Sequence, residues 1–256
     1  MYYDDITKIA AAAELKSSML ERGKLRYLLS SVLAGMYVGF GILLIFTIGG
    51  LLAQDNSPAV RIVMGAAFGI ALSLVIMAGS ELFTGNNMIM TIGLLEKRTS
   101  LKQVTAVHLY SFIGNLAGSV LIAWIFYLTG LSQGSTAIFM QKIALTKMSL
   151  SATELFARGI LCNMLVCLAL WCSFRMKEEA GKLIMIFWCL FAFITSGYEH
   201  SVANMTLLSG ALMIPSSVPL SISGFWYNIG VVTLGNFVGG ALFIACSYWY
   251  ISKGKI

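Results

Sequence analysis

Gly79-Ser80-Glu81-Leu82-Phe83-Thr84-Gly85-Asn86 and, 118 residues further on, Gly197-Tyr198-Glu199-His200-Ser201-Val202-Ala203-Asn204 share a glycine, a glutamate and an asparagine in register. Each octet sits inside an apolar run. Ionisable side chains are rare in such runs when they cross a membrane, and they usually mark a transport path. Two related copies point to a path built at the interface of an internal repeat.

The surroundings are those of a membrane protein. Of 256 residues, 58% are hydrophobic and 11% charged, against about 25% charged in a soluble domain. Six apolar stretches are long enough to cross roughly 30 Å of hydrocarbon: residues 27–53, 59–95, 104–129, 152–174, 183–213 and 225–250. The second and fifth would be roughly 55 and 46 Å long as straight helices. Each carries one octet, so each is read as a broken helix whose irregular backbone lines a polar cavity.

The repeat continues outside the octets. Gly114-Asn115-Leu116-Ala117-Gly118 matches Gly235-Asn236-Phe237-Val238-Gly239, and Gly35 and Gly39 align with Gly159 and Asn163. Spans one to three therefore correspond to four to six. With an odd number of crossings in each, the halves enter the membrane from opposite sides, an inverted 3+3 repeat. The expected organisation is one channel domain over 1–256, with a first repeat at 27–129 and a second at 152–250. Residues 1–26 contain an amphipathic helix expected to lie on the cytoplasmic membrane surface. The GxxxG pairs Gly35/Gly39, Gly65/Gly69, Gly114/Gly118 and Gly235/Gly239 read as close helix packing.

Basic residues set the orientation. Thirteen lie in the N-terminal segment, the second and fourth loops and the tail (Lys253, Lys255), against Arg61, Lys142, Lys147 and Arg158 on the other side. Both termini are thus expected in the cytoplasm, in a cell inner or plasma membrane. The net charge of +6 reflects this topology; nucleic-acid binding would need a soluble basic face. All five cysteines fall in apolar spans without a CxxC and read as inert thiols. No metal or cofactor is expected.

Glu81 and Glu199 either face a path or accept hydrogen bonds from N–H groups freed by the breaks. An unpaired carboxylate would repel an anion and suit a cation; the structural role is assigned to both, with Asn86 and Asn204 beside them. His200, at the second break, is a candidate to offer a proton or hydrogen bond to a solute, and Thr84 offers a hydroxyl at comparable depth. His108 reads as interfacial. Phe68 and Leu72 share a helix face before the first break and Phe193 precedes the second; they read as packing or as an apolar gate. Lys147, in an outer loop, reads as a solvated charge or an attractor of anions.

Gly79–Asn86, Arg158–Cys167, Gly197–Met205 and Gly235-Asn236 together resemble the formate/nitrite transporter family, over nearly the whole chain. The resemblance implies six-span protomers with an aquaporin-like inverted repeat, assembled as homopentamers with a pore in each. It implies passage of formate, nitrite or hydrosulfide, and the chain is most similar in appearance to the hydrosulfide branch. By the same resemblance, Leu72 with nearby Leu82 forms a cytoplasmic constriction, and Phe68 with Phe193 an outer one. Thr84 and His200 sit in the chamber between them, and Lys147 and Asn163 beside the outer vestibule. A proton-coupled transporter of the same anions could use these residues. An aquaporin would carry Asn-Pro-Ala tips, yet Pro58, Pro215 and Pro219 all lie in loops. No nucleophile–base pair or ligand cluster suggests an enzyme.

Overall fold

A computed structural model describes residues 2–215 and 217–253 of the chain; Lys255, counted above in the basic tail, lies outside them. The described residues are mostly helical, without strands. Among the described residues, six helical stretches are long and apolar enough to span a membrane, and they are taken as the crossings. The first is α2 (Lys24–Ala53), preceded by α1 (Tyr3–Arg22). The second is α3 (Val60–Ala67) and α4 (Ile70–Met77), followed after a break by α5 (Phe83–Leu95). The third is α6 (Leu101–Leu128), and α7 (Gly134–Ser149) follows it. The fourth is α8 (Ala152–Arg175); the fifth is α9 (Glu179–Ser196), with α10 (Ser201–Met213) beyond its break. The sixth runs through α11 (Ile222–Phe237), a π-helix over Val238–Cys246 and α12 (Ser247–Ser252). Ser100 with Gln103 and Ser151 with Glu154 form capping boxes that start α6 and α8.

Two expectations change here. First, α1 does not lay its apolar face on lipid: Ile6, Ile9, Ala13 and Leu20 are buried in a cluster with Met88 and Ile92 of α5. Asp5 pairs with Arg175 at 3.2 Å, and the Tyr2 ring meets Trp171 and Tyr248 edge-on at 6.0 and 5.7 Å. α12 is fastened nearby, Glu96 receiving both Trp249 Nε1 and Lys253 Nζ at 2.7 Å. The hydrogen bond from Lys253 holds the Glu96 carboxyl below its ordinary range. Second, the segment assigned to an outer loop is largely α7. Lys147 lies in its last turn.

α1 and α7 therefore hold the same place, each preceding three crossings, and each reaches a break with one lysine. The halves also match one helical turn away from the alignment made from the sequence. Glu81 N–H donates to Ser30 O and Glu199 N–H to Arg158 O, both at 3.3 Å. A Cβ at Gly118 would strike the Val32 carbonyl, and one at Gly239 the Ile160 carbonyl. These contacts pair Ser30 with Arg158 and Val32 with Ile160, so Gly35 corresponds to Asn163 rather than to Gly159. Small residues recur in both halves, so glycine spacing alone left the register open.

The backbone contact at Gly118 makes a test. Gly118→Ala is expected to destabilise the detergent-solubilised protein by about 1–3 kcal/mol, as overpacking does. At Gly230 a Cβ would meet open space, and Gly230→Ala should leave thermal stability unchanged or slightly raised. Equal melting of the two variants would refute the close-packed α2–α6 interface.

Candidate functional site

Each break begins with a glycine in the left-handed region, Gly79 at φ 77° and Gly197 at φ 79°, where an L residue with a Cβ is strained. The chain then runs extended into the next helix through Leu82 and through His200, the residues flanking the N-termini of α5 and α10. A helix start leaves N–H groups without partners, and lipid offers none. Two asparagines supply them. Asn115 Oδ1 accepts from Phe83 N–H at 2.8 Å, while its Nδ2 donates to Ser31 O at 2.7 Å and Glu81 O at 2.9 Å. Asn236 Oδ1 accepts from Ser201 N–H at 2.9 Å, and its Nδ2 donates to Gly159 O at 2.8 Å and Glu199 O at 2.9 Å. Both are fully buried. In the sequence the two asparagines stand out only as part of the repeat; their place in matched, wholly apolar spans is the signal available there.

The glutamates consequently do not take the freed N–H groups, contrary to the expectation. The Glu81 carboxylate accepts from Lys16 Nζ at 2.7 Å on both oxygens and from Tyr27 Oη at 2.8 Å. Glu199 accepts from Lys147 Nζ at 2.7 Å on both oxygens and from Asn204 Nδ2 at 2.6 Å. Asn86 Nδ2 donates to Tyr27 Oη at 3.2 Å, and Asn204 Nδ2 to Asn228 Oδ1 at 2.9 Å. Lys147 is thus neither a loop residue nor a solvated charge.

His200 caps α10 with its own ring, Nδ1 accepting from Ala203 N–H at 3.1 Å, and Nε2 lies 2.9 Å from Thr84 Oγ1. Because Nδ1 accepts from a backbone N–H, the neutral ring carries its proton on Nε2, which donates to Thr84. Asn163 is fully buried, its Nδ2 donating to Asn236 O at 2.7 Å and Thr84 O at 3.2 Å. It lies behind the breaks and lines none of the cavities described below, so the expected place beside the vestibule is corrected. A buried amide with two carbonyl partners is held away from solvent. His108 is likewise not interfacial: Nδ1 faces Val104 O at 2.8 Å, Nε2 faces Asn87 Oδ1 at 3.1 Å, and the ring packs on Phe83 and Phe237.

Three cavities lie in series along the breaks. A 550 Å³ vestibule includes Lys16, Leu72, Glu81, Leu82, Asn86 and Lys182 in its wall. A 320 Å³ vestibule includes Arg61, Lys147, Arg158, Phe193, Glu199 and His200. A void of 10 Å³ shares Leu72 and Leu82 with the first and Phe193 and His200 with the second. Its volume suits about one water molecule. Phe68 completes this narrow section, its ring edge-on to Phe193 at 5.6 Å, and Phe193 stacks on His200 at 6.0 Å. The structure thus brings Phe68, Leu72, Leu82, Phe193 and His200 to one void, with Thr84 reached through His200. Arg61 and Arg158, counted earlier only for topology, join Lys147 in one vestibule.

The asparagine clamps yield a direct test. Asn236→Ala strands Ser201 N–H and two carbonyls, each an unmet polar group costing about 1–3 kcal/mol. The variant should lose at least about 2 kcal/mol of stability, read as a lower melting temperature in detergent, and should lose flux. A wild-type melting curve would show that the clamp is dispensable.

Comparison with known proteins agrees with this architecture. Residues 4–250 match the family described as Formate/nitrite transporter. The chain is 46% identical to the nitrite transporter NirC of Escherichia coli (strain K12), covering 98% of this chain and 92% of that one. It is 38% identical to a probable formate transporter of Methanothermobacter thermautotrophicus, over 96% and 95%. Among solved structures, an FNT family ion channel superposes with a TM-score of 0.92 at 44% identity, over 97% and 98% of the two chains. A pentameric formate channel with formate bound gives 0.75 at 27% identity, over 89% and 96%. These are transporters and channels rather than enzymes. With six apolar crossings and a match along almost its full length, the chain is a multi-pass membrane protein that belongs to the formate/nitrite transporter family.

Proposed function

We propose that the chain conducts small monovalent anions of weak acids, nitrite foremost, through a pore within each protomer. The path runs from the Lys16 vestibule past Leu72 and Leu82, along His200, and between Phe68 and Phe193 into the Lys147 vestibule. One observation carries this reading: two vestibules lined by ionisable side chains meet at a void in which His200 is the only polar side chain among the described lining residues. The placing of nitrite first follows the name of the 46%-identical relative; formate follows from the others. Hydrosulfide, favoured on first resemblance, is kept as a third candidate. Assembly as a homopentamer is supported by the pentameric formate channel. The matched break geometry supports an inverted 3+3 arrangement, and the basic-residue asymmetry supports cytoplasmic termini.

A bare anion in the narrow section would forgo its water at an idealised cost of tens of kcal/mol. Taking a proton from vestibule water removes most of that cost and leaves a neutral acid, which needs little more than a hydrogen-bond partner. His200 provides one through Nε2–H, shared with the Thr84 hydroxyl. Protonation of Nδ1 would set its N–H against the Ala203 N–H, so His200 acts as a hydrogen-bond donor while solvent supplies the proton. Phe68, Leu72, Leu82 and Phe193 exclude hydrated ions by closing the section with apolar surface.

Flux into proteoliposomes tests both parts. His200→Phe should lower nitrite and formate flux about tenfold or more. His200→Asn keeps a cap acceptor and a donor, so it should retain much of the flux and the wild-type pH profile. Loss of pH dependence in His200→Asn would make the imidazole itself the proton donor. Parallel assays with nitrite, formate, hydrosulfide and chloride rank the substrates, and chloride flux equal to nitrite flux would sink the weak-acid reading.

A further inference from the structure

We propose that Arg61, rather than Lys147, supplies the charge that draws anions into the vestibule next to the Phe68–Phe193 constriction. The inference rests on the anion-channel reading above and assigns its capture step. Lys147 is a poor attractor once its partner is counted: its Nζ lies 2.7 Å from both oxygens of Glu199. Their side chains are 17% and 3% exposed. The pair carries no net charge, and at a few ångströms its field falls away as that of a dipole. Arg158 is partly offset as well, Nη2 lying 3.6 Å from Glu154 Oε1.

Arg61 differs from both. It stands in the first turn of α3, lines the same 320 Å³ vestibule, and is exposed. Among the described residues, no acidic side chain lies within ion-pair distance of it. Its guanidinium approaches the left-handed turn at Gly197, Nη1 lying 3.7 Å from where a Cβ of that residue would stand. The surplus positive charge therefore sits at the break leading to His200. The opposite vestibule has no such surplus, since Lys16 is paired with Glu81 and Lys182 with Glu179 at 2.9 Å. A cleft lined by one sign of charge raises local substrate concentration and on-rate, and this effect falls steeply with salt. The Debye length shrinks from about 30 Å at 0.01 M to about 3 Å at 1 M.

The test is nitrite uptake into proteoliposomes at 0.01 M and 1 M ionic strength, as a function of nitrite concentration. At low salt Arg61→Gln should raise the half-saturating concentration about 3- to 10-fold, with maximal flux unchanged. At 1 M salt the difference should vanish. Arg61→Lys should restore the wild-type value, and Arg61→Glu should raise it further. Lys147→Gln, which strands Glu199, should lower flux at both salt levels. A wild-type half-saturating concentration for Arg61→Gln at low salt would overturn the inference, as would a loss equal at both ionic strengths. A wild-type protein that passes neither nitrite nor formate would instead overturn the anion-channel reading.

Discussion

A membrane helix interrupted at mid-depth exposes backbone N–H and C=O groups to a medium with nothing to bond them, at several kcal/mol for each group left bare. The structure meets that constraint with one residue type used twice. Asn115 and Asn236 each join a helix-start N–H to two carbonyls, one from the break itself and one from a neighbouring helix. Asparagine suits this task because one short amide presents both donors and acceptors. With the backbone satisfied by residues set back from the cavities, the break can hold an extended residue at the narrowest section. The positions of Leu82 and His200, and hence the chemistry of that section, depend on these two amides.

The glutamates then become free for a different duty. Each is tied to a lysine from a helix outside the six crossings, Lys16 of α1 and Lys147 of α7. Burying such a pair gains little stability in itself, whereas removing one partner strands a charge at about 3–5 kcal/mol. The arrangement therefore specifies geometry: it locks α1 and α7 against the breaks they cover. It also cancels the very charges that, taken singly, would dominate the vestibules.

Hydrophobic run length and the repeated octets made the six crossings and both breaks legible in the sequence, because each follows from local composition. His200 was also within reach, since it lies in the second octet, whereas spacing left Phe68, Leu72 and Phe193 open between packing and a gate, and only the family resemblance placed them, with Leu82, at constrictions. What stayed hidden depends on partners distant in the chain. Lys147 looks solvated until Glu199 is placed 2.7 Å away. α7 is too short and polar to stand out as a crossing, yet it packs as the counterpart of α1. Asn163 matches a glycine of the other half by position, but it carries an amide whose two carbonyl partners lie on α5 and α11. The repeat register slipped by one turn for a related reason, as small residues recur at that spacing on the packed faces.

The likeness of the halves gives the narrow section its position, and their difference gives it its chemistry. Leu82 and His200 are equivalent, 118 residues apart, each leading into the helix after its break, and both line the 10 Å³ void. Leu82 offers α5 no cap of its own, whereas His200 caps α10 with its ring. Two leucines at these places would leave the void without a polar side chain and offer a desolvated solute no partner. Two histidines would add a second polar ring and favour water, along with the hydrated ions that apolar walls exclude. One of each leaves a single donor, Nε2–H, in an otherwise apolar wall, with Thr84 fixing its direction. On the proposed reading, such a section suits a small solute that can shed its charge and accept one hydrogen bond, which is the behaviour of a weak acid.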